Sequence, residues 1–379
     1  MKTEEIKSDC RYFIGEKPCR AKRLCPGCAE YSPMGFRILI IKIGAMGDVL
    51  RTTPLLKALK QKYRESHITW LVDSASTDLL NRNPDIDRVA PYDWSSLLKL
   101  QVEHFDLLLS LEKIEPAIAL AELIHAKKKL GFGMNSHGTL RVFNPEAGYA
   151  LRLGIDDQLK FIENKKSYPH IIFEAVQLPF QGEEYALALD PLETARAKDL
   201  LSTLGARPDK LTIGVSPGAG HVFANKAWTI PGYVELIQRV LKNFDAQVLL
   251  LGGEREMEMN RAIKEALGDG ILEVGAQPLS RFMAVVDHCD ILISGDTLPM
   301  HIAIAMKKEV LAIFGPTCNQ EIDLYGRGEK IVTSKDCAPC YRSRCDIRDH
   351  CMEAIPVDTV YEAMERLIKK KQSKKGGCY

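Results

Sequence analysis

The chain has 379 residues, and its 51 Lys and Arg stand against 50 Asp and Glu for a net charge of +1. That balance excludes a nucleic-acid binder working through bulk charge, and the 46% hydrophobic and 27% charged fractions exclude whole-chain disorder. No apolar run approaches the ~18 to 20 residues that span a bilayer, and the first ten residues lack the apolar core of a secretory signal, so the expected location is the cytoplasm.

The first 36 residues form a cysteine-rich head carrying Cys10, Cys19, Cys25 and Cys28. In a reducing compartment such a group reads as a metal site before it reads as disulfides. From Arg37 to Ile43 runs an apolar segment of strand length ending at Gly44, as suits a strand covered on both faces of a parallel sheet. From 47 to 63, Leu50, Leu55, Leu56 and Leu59 recur at helical spacing. Strands follow at 68–72 and 105–111, with a helix-like stretch near Leu79 and an Ala/Ile/Leu-rich helix to about Ala126. Strand alternating with helix is the pattern of a doubly wound unit, here 37–190. Residues 134–190 break the rhythm and read as a substrate-contacting region or surface insertion.

A helix over 192–204 opens a second unit, 191–356. Its strands are expected at 211–216, 247–251, 271–274, 290–294, 309–314 and 330–333, and its helices at about 231–243, 255–267, 279–287 and 299–306. Near its end lies Cys337-x2-Cys340-x4-Cys345-x5-Cys351, a tetrathiolate pattern. Zinc is the first expectation for each four-cysteine set, with iron or an iron–sulfur cluster next. Both sites are expected to be structural, because four thiolates close the shell. The last segment, 357–379, reads as a helix and a lysine-rich tail with Lys369, Lys370, Lys371, Lys374 and Lys375. That tail is a solvated end, or a weak contact with the anionic surface of the inner membrane.

Three motifs sit where strands meet helices, at the carboxyl edge on which open α/β sheets bind ligands. In Lys42-Ile-Gly-Ala-Met-Gly-Asp48, Gly44 and Gly47 permit a tight turn and close approach of a ligand, and Asp48 is either a helix-capping carboxylate or a general base. The turn is not G-x-G-x-x-G and sets an anion where a pyrophosphate would lie, which argues against a nicotinamide enzyme despite Asp73 at the end of the second strand. In Pro217-Gly218-Ala219-Gly220, followed by Lys226-Ala-Trp228, exposed amides and a lysine suit a diphosphate. In Gly295-Asp296-Thr297-Leu298-Pro-Met-His301, three polar side chains meet at a strand–helix junction. They read as a cap and a core histidine, or as a donor site. Glu254, after Gly252-Gly253, either accepts from a ribose or starts a helix.

These motifs, in this order, resemble glycosyltransferase family 9, the heptosyltransferases of bacterial lipopolysaccharide synthesis, from about Arg37 to Ile368. The resemblance implies the GT-B fold, two facing doubly wound Rossmann-like domains with a cleft between them. It implies Asp48 as catalytic base and Lys226 as the donor-phosphate lysine. It places Gly44, Gly47, Gly218, Ala219, Gly220, Glu254, Asp296, Thr297, Leu298 and His301 at the donor, with Leu298 standing where the family usually has Gly. The implied reaction is metal-independent, inverting transfer of a sugar, heptose by expectation, from a nucleotide donor, ADP-heptose by expectation. The acceptor is a lipopolysaccharide-type glycan, another glycan or lipid-linked sugar, or a protein. The C-terminal cysteines are similar to the iron-binding finger of heptosyltransferases that modify autotransporter proteins. Two other readings stay open on the residues: a GT-B nucleotide-sugar epimerase, and a non-catalytic metal- or redox-sensing module on the same fold.

Overall fold

The computed structural model describes residues 2–219 and 224–376. They divide into two compact units, Met1–Ile155 with Pro169–Glu183, and Asp156–Tyr168 with Glu184–Tyr379. No helix among the described residues is long and apolar enough to cross a membrane.

The first unit opens with an irregular head, in which Cys10 alone of residues 2–35 is buried. Its main sheet begins with β1, Phe36–Ile41, whose last four residues are wholly buried. Two short helices follow, α1 (Met46–Leu50) and α2 (Leu55–Lys62), then β2 (Ser66–Val72), β3 (Arg88–Pro91), α3 (Trp94–Val102) and β4 (His104–Ser110). The unit continues with α4 (Glu115–Leu123), β5 (His125–Met134), β6 (Leu140–Val142), α5 (Gly148–Arg152) and α6 (Tyr168–Ala175). The strand order is β3-β2-β1-β4-β5-β6, parallel except where β6 returns antiparallel on β5. Apolar side chains of β1 and β4, with Ala117, Leu120 and Ala121 of α4, form a core on one face of this sheet.

The periodicity over 47–63 predicts one helix, and the structure has two. Thr52 and Thr53 turn their hydroxyls back to the carbonyls of Asp48 and Leu50, at 2.7 and 2.6 Å. Pro54 follows, with no amide hydrogen to carry the ladder onward. The helix ends just past Asp48, in a tight turn.

The second unit runs α7 (Pro191–Thr203), β7 (Leu211–Ser216), α8 (Ile230–Asn243), β8 (Ala246–Leu250), α9 (Met257–Leu267) and β9 (Ile271–Glu273). It closes with α10 (Leu279–Asp287), β10 (Ile291–Gly295), α11 (Leu298–Ala305), β11 (Glu309–Phe314), β12 (Gly328–Val332) and α12 (Val357–Gly376). The order is β12-β11-β10-β7-β8-β9, parallel throughout. The stripe Val360, Ala363, Met364, Leu367 and Ile368 docks α12 onto this unit's core.

In both sheets the order reverses beside the first strand: β1 lies between β2 and β4, and β7 between β8 and β10. Successive crossovers leave in opposite directions there, and a crevice opens at the carboxyl ends of the two strands.

Gly131 of β5 pairs with Ser110 of β4 at φ +93°, and a Cβ there would lie 2.1 Å from the Ser110 carbonyl oxygen. Gly131→Ala is expected to cost at least about 2 kcal/mol through left-handed strain and displacement of β5 from β4. The check is a lowered denaturant midpoint with the far-UV spectrum of the survivors unchanged.

Candidate active site

In the first unit the crevice lies between β1 and β4. Lys42 and Glu112, one just past each strand, are both buried, with Nζ 3.1 Å from Oε2. The same oxygen accepts the backbone N–H groups of Ile43 and Gly44, at 3.2 and 3.3 Å. One carboxylate thus fixes the turn that follows β1. Asp48 stands beyond that turn on α1, its side chain 35% exposed. Arg51 approaches one carboxylate oxygen at 3.0 Å and Lys42 the other at 3.7 Å. The cap position of α1 is Ala45, and no side chain caps the helix, so Asp48 does not serve as its cap. Gly44 and Gly47 share this turn in the first unit.

In the second unit the crevice lies between β7 and β10 and holds a cavity of about 360 Å³, the scale of a small-molecule site. Ser216, Gly218 and Ala219 line it from the loop after β7, and Asp296, Thr297 and Leu298 from the loop after β10. Gly220 lies outside the described residues. A Cβ on Gly218 would fall 2.1 Å from Cγ of Glu256, so the loop passes that side chain at a distance only glycine allows. Lys226 Nζ is 3.4 Å from Oδ2 of Asp296 and 3.3 Å from its carbonyl oxygen. His301, buried one turn into α11, has Nε2 3.8 Å from Oδ1 of Asp296. Asp296 therefore faces a cation on one side and an imidazole on the other. Thr297 takes the cap position of α11 with its hydroxyl bonded to Ser294 at 2.8 Å, leaving the first amides of the helix uncapped by a side chain.

Glu254 is exposed and does not line the cavity; Glu256 does. At the cap position of α9, Glu256 turns back so that Oε2 accepts the Gly253 N–H at 2.9 Å. Sequence reasoning missed Glu256 and Glu112. The signal for Glu112 was its place just past the apolar run Leu107–Leu109 of β4, where an acid has no reason to be buried except to hold something.

Each cysteine set lines one cavity. Cys10, Cys19, Cys25 and Cys28 surround about 20 Å³, room for a single ion or water. There the Arg23 N–H donates to Cys19 Sγ at 3.4 Å, and Cys25 and Cys28 close a turn through Gly27 at φ +67°. Cys337, Cys340, Cys345 and Cys351 line a wider space of about 290 Å³. Burial, and then the neighbouring thiols of Cys340, Cys345 and Cys337, push the Cys351 thiol up to about 11. The donor chemistry fits a tetrathiolate, and the common cavity brings the right residues together. Among the described residues, however, no three His, Cys, Asp or Glu side chains are gathered closely enough to hold a metal ion as they stand.

Two doubly wound parallel units, each with polar side chains at its strand-order reversal, define an α/β enzyme built from paired Rossmann-like domains. Residues 95–350 match glycosyltransferase family 9 (heptosyltransferase), and the chain belongs to that family. It is a glycosyltransferase, as the three sequence motifs implied. Lipooligosaccharide heptosyltransferase 2 of Campylobacter jejuni is 24% identical over 337 residues, covering 85% of this chain and 96% of that protein. A family 9 glycosyltransferase of Veillonella parvula superposes with a TM-score of 0.72 at 18% identity, over 89% of this chain and 98% of that one. The dodecameric iron-containing heptosyltransferase TibC of enterotoxigenic E. coli, solved with ADP-D-beta-D-heptose, gives 0.54 at 11% identity, over 89% and 77%. The fold is GT-B.

Lys226 joins the polar cluster around Asp296. Lys226→Ala is expected to weaken binding of a nucleoside diphosphate by about tenfold or more, the worth of one charge-assisted hydrogen bond. Calorimetry with ADP is the measurement, and unchanged affinity would move the phosphate site elsewhere.

Proposed function

We propose that this chain transfers heptose from ADP-heptose, with inversion, to a lipopolysaccharide-type or other glycan or protein acceptor. The observation that carries the reading is the cavity between β7 and β10, lined by its glycine loop, its helix start and Asp296, whose carboxylate pairs with Lys226 outside the lining. Nucleotide diphosphates seek that chemistry: backbone amides, one cation and a strand-order reversal. The Campylobacter relative is named a heptosyltransferase, and TibC was solved with ADP-D-beta-D-heptose, which supports heptose and adenine on the donor.

In this reading the second unit holds the donor. Gly218, Ala219 and the first amides of α11 bind the diphosphate, Lys226 neutralises it, and Glu256 offers a carboxylate to donor hydroxyls. The first unit serves the acceptor. Asp48 takes the proton of the attacking hydroxyl as its oxygen bonds to the anomeric carbon; the bond to the diphosphate breaks and ADP leaves with its electron pair. Lys42 and Arg51 hold the Asp48 carboxylate in place, and Glu112 fixes Lys42 in turn. The enzyme works in the cytoplasm, with its acceptor at the inner membrane surface.

The two cysteine sets hold structural metal, zinc or iron. The head has a stronger need, since a segment with one buried residue cannot fold on apolar burial alone. When bound, the metal supplies a cross-link and no chemistry. Cys10, Cys19, Cys25 and Cys28 would hold one ion, and Cys337, Cys340, Cys345 and Cys351 another.

Asp48→Asn keeps the size of the side chain and removes the base. Transfer is expected to fall by roughly two to four orders of magnitude, with donor affinity little changed. A variant retaining more than about a tenth of the wild-type rate would assign the proton to another residue. For the metal, elemental analysis of anaerobically purified protein is expected to find up to two ions per chain. Cys345→Ser is expected to lower folded yield more than turnover per folded molecule. Fully active protein free of zinc and iron would refute the metal sites.

A further inference from the structure

At the amino ends of β1, β2 and β3, opposite the edge that carries Asp48, the head closes over a second cavity of about 650 Å³. Five cations line it: Arg11 and Arg20 from the head, Arg37 on β1, Arg88 on β3 and Lys99 in the last turn of α3. Three carboxylates, Asp9, Asp87 and Glu103, share the lining.

Each carboxylate is already engaged. Glu103 binds Arg37 at 2.6 Å and Arg88 at 2.7 Å. Asp87 takes Arg11 and Lys60, each at 3.0 Å, together with the Ile68 N–H at 2.9 Å. Asp9 accepts the Tyr31 hydroxyl at 2.6 Å. What remains is an excess of donors. The Nε–H groups of Arg11, Arg37 and Arg88 are buried and find no acceptor. Arg20 makes no ion pair among the described residues, and Lys99 stands 4.0 Å from Glu103 with most of its side chain exposed. Those three Nε–H groups are closed off from the open space, but five cations against three carboxylates leave the lining with a surplus of positive charge, the arrangement an anion completes.

His67 lies in the same lining at the start of β2. Burial drives its pKa down to about 4; the charges of Arg88, Arg37 and Arg11 add to that against the opposing pull of Asp87. The imidazole therefore adds no charge at pH 7, and the positive charge of the lining is that of the arginines and Lys99. Phe13, Ile14 and Met34 of the head give the cavity an apolar wall. A bare ion would not fill a space of this size, so the occupant carries an organic group.

We propose that this rear cavity binds a phosphoanion, a phosphate or diphosphate borne on a small organic group, held between the head and the amino edge of the first sheet. The group is either a soluble metabolite or the headgroup of a phosphorylated lipid; the cations read the phosphate in both.

The test is calorimetry of the full chain with inorganic pyrophosphate, in the wild type, in Lys226→Ala, and in Arg20→Ala combined with Lys99→Ala. Both substituted cations are exposed and neither supports the fold, so the double variant is expected to fold normally. The expected result is binding that survives Lys226→Ala and weakens at least about tenfold in the double variant. Binding lost with Lys226→Ala, unmoved by the double variant, or absent in the wild type would overturn the proposal. Co-sedimentation with phosphatidic-acid vesicles, against phosphatidylcholine vesicles, separates the sources. Vesicle binding that needs Arg20 and Lys99 points to a headgroup, and pyrophosphate binding without vesicle binding points to a soluble ligand.

Discussion

A parallel strand can be followed by another only after the chain has crossed back over a face of the sheet, so every strand in such a sheet ends at the same edge. That constraint places the polar loops of this protein. The turn after β1, the glycine loop after β7 and the junction after β10 are far apart in sequence, yet within each unit they arrive at one edge because the strands leave them no alternative. Where the strand order reverses, the crossovers diverge and the edge becomes a crevice. The carboxylate of Glu112 is the local consequence in the first unit. It is buried because it fills the gap between β1 and β4, and it binds Lys42 and two backbone amides because a charge so placed must be compensated.

The strands buried on both faces were the legible part of the sequence. The runs that became β7 and β11 match their predicted bounds, and all six residues of each are buried, as in a strand covered on both faces. β5 escaped notice for the opposite reason. It begins His125-Ala-Lys-Lys-Lys, and these residues are partly or largely exposed, so the strand carries no apolar run until Leu130. Its pairing with β4 comes from the neighbouring backbone rather than from its own side chains. β3 is only four residues long and α3 follows at once, too short a span for periodicity to register.

The site was legible to the same degree and for related reasons. Loop motifs such as Gly218-Ala219 and Asp296-Thr297 stand out because glycine and small polar residues mark the places where backbone, not side chain, meets a ligand. Side chains that act by folding back are hidden from such a reading. Glu256 reaches the cavity through a reversal at the start of α9, and a residue two positions earlier offers the same chemistry with a different direction. Direction is set by φ and ψ, which composition does not carry.

The head sits against the amino ends of the first sheet. Gly35 packs on Glu65, Phe36 stacks on Tyr63, and Arg11 reaches Asp87. Between that contact and the Asp48 turn runs the whole of β1, six residues and about 20 Å of inextensible strand, the last four of them buried. The strand acts as a strut. A load on the head acts on one end of that strut and leaves the turn at the other end in register.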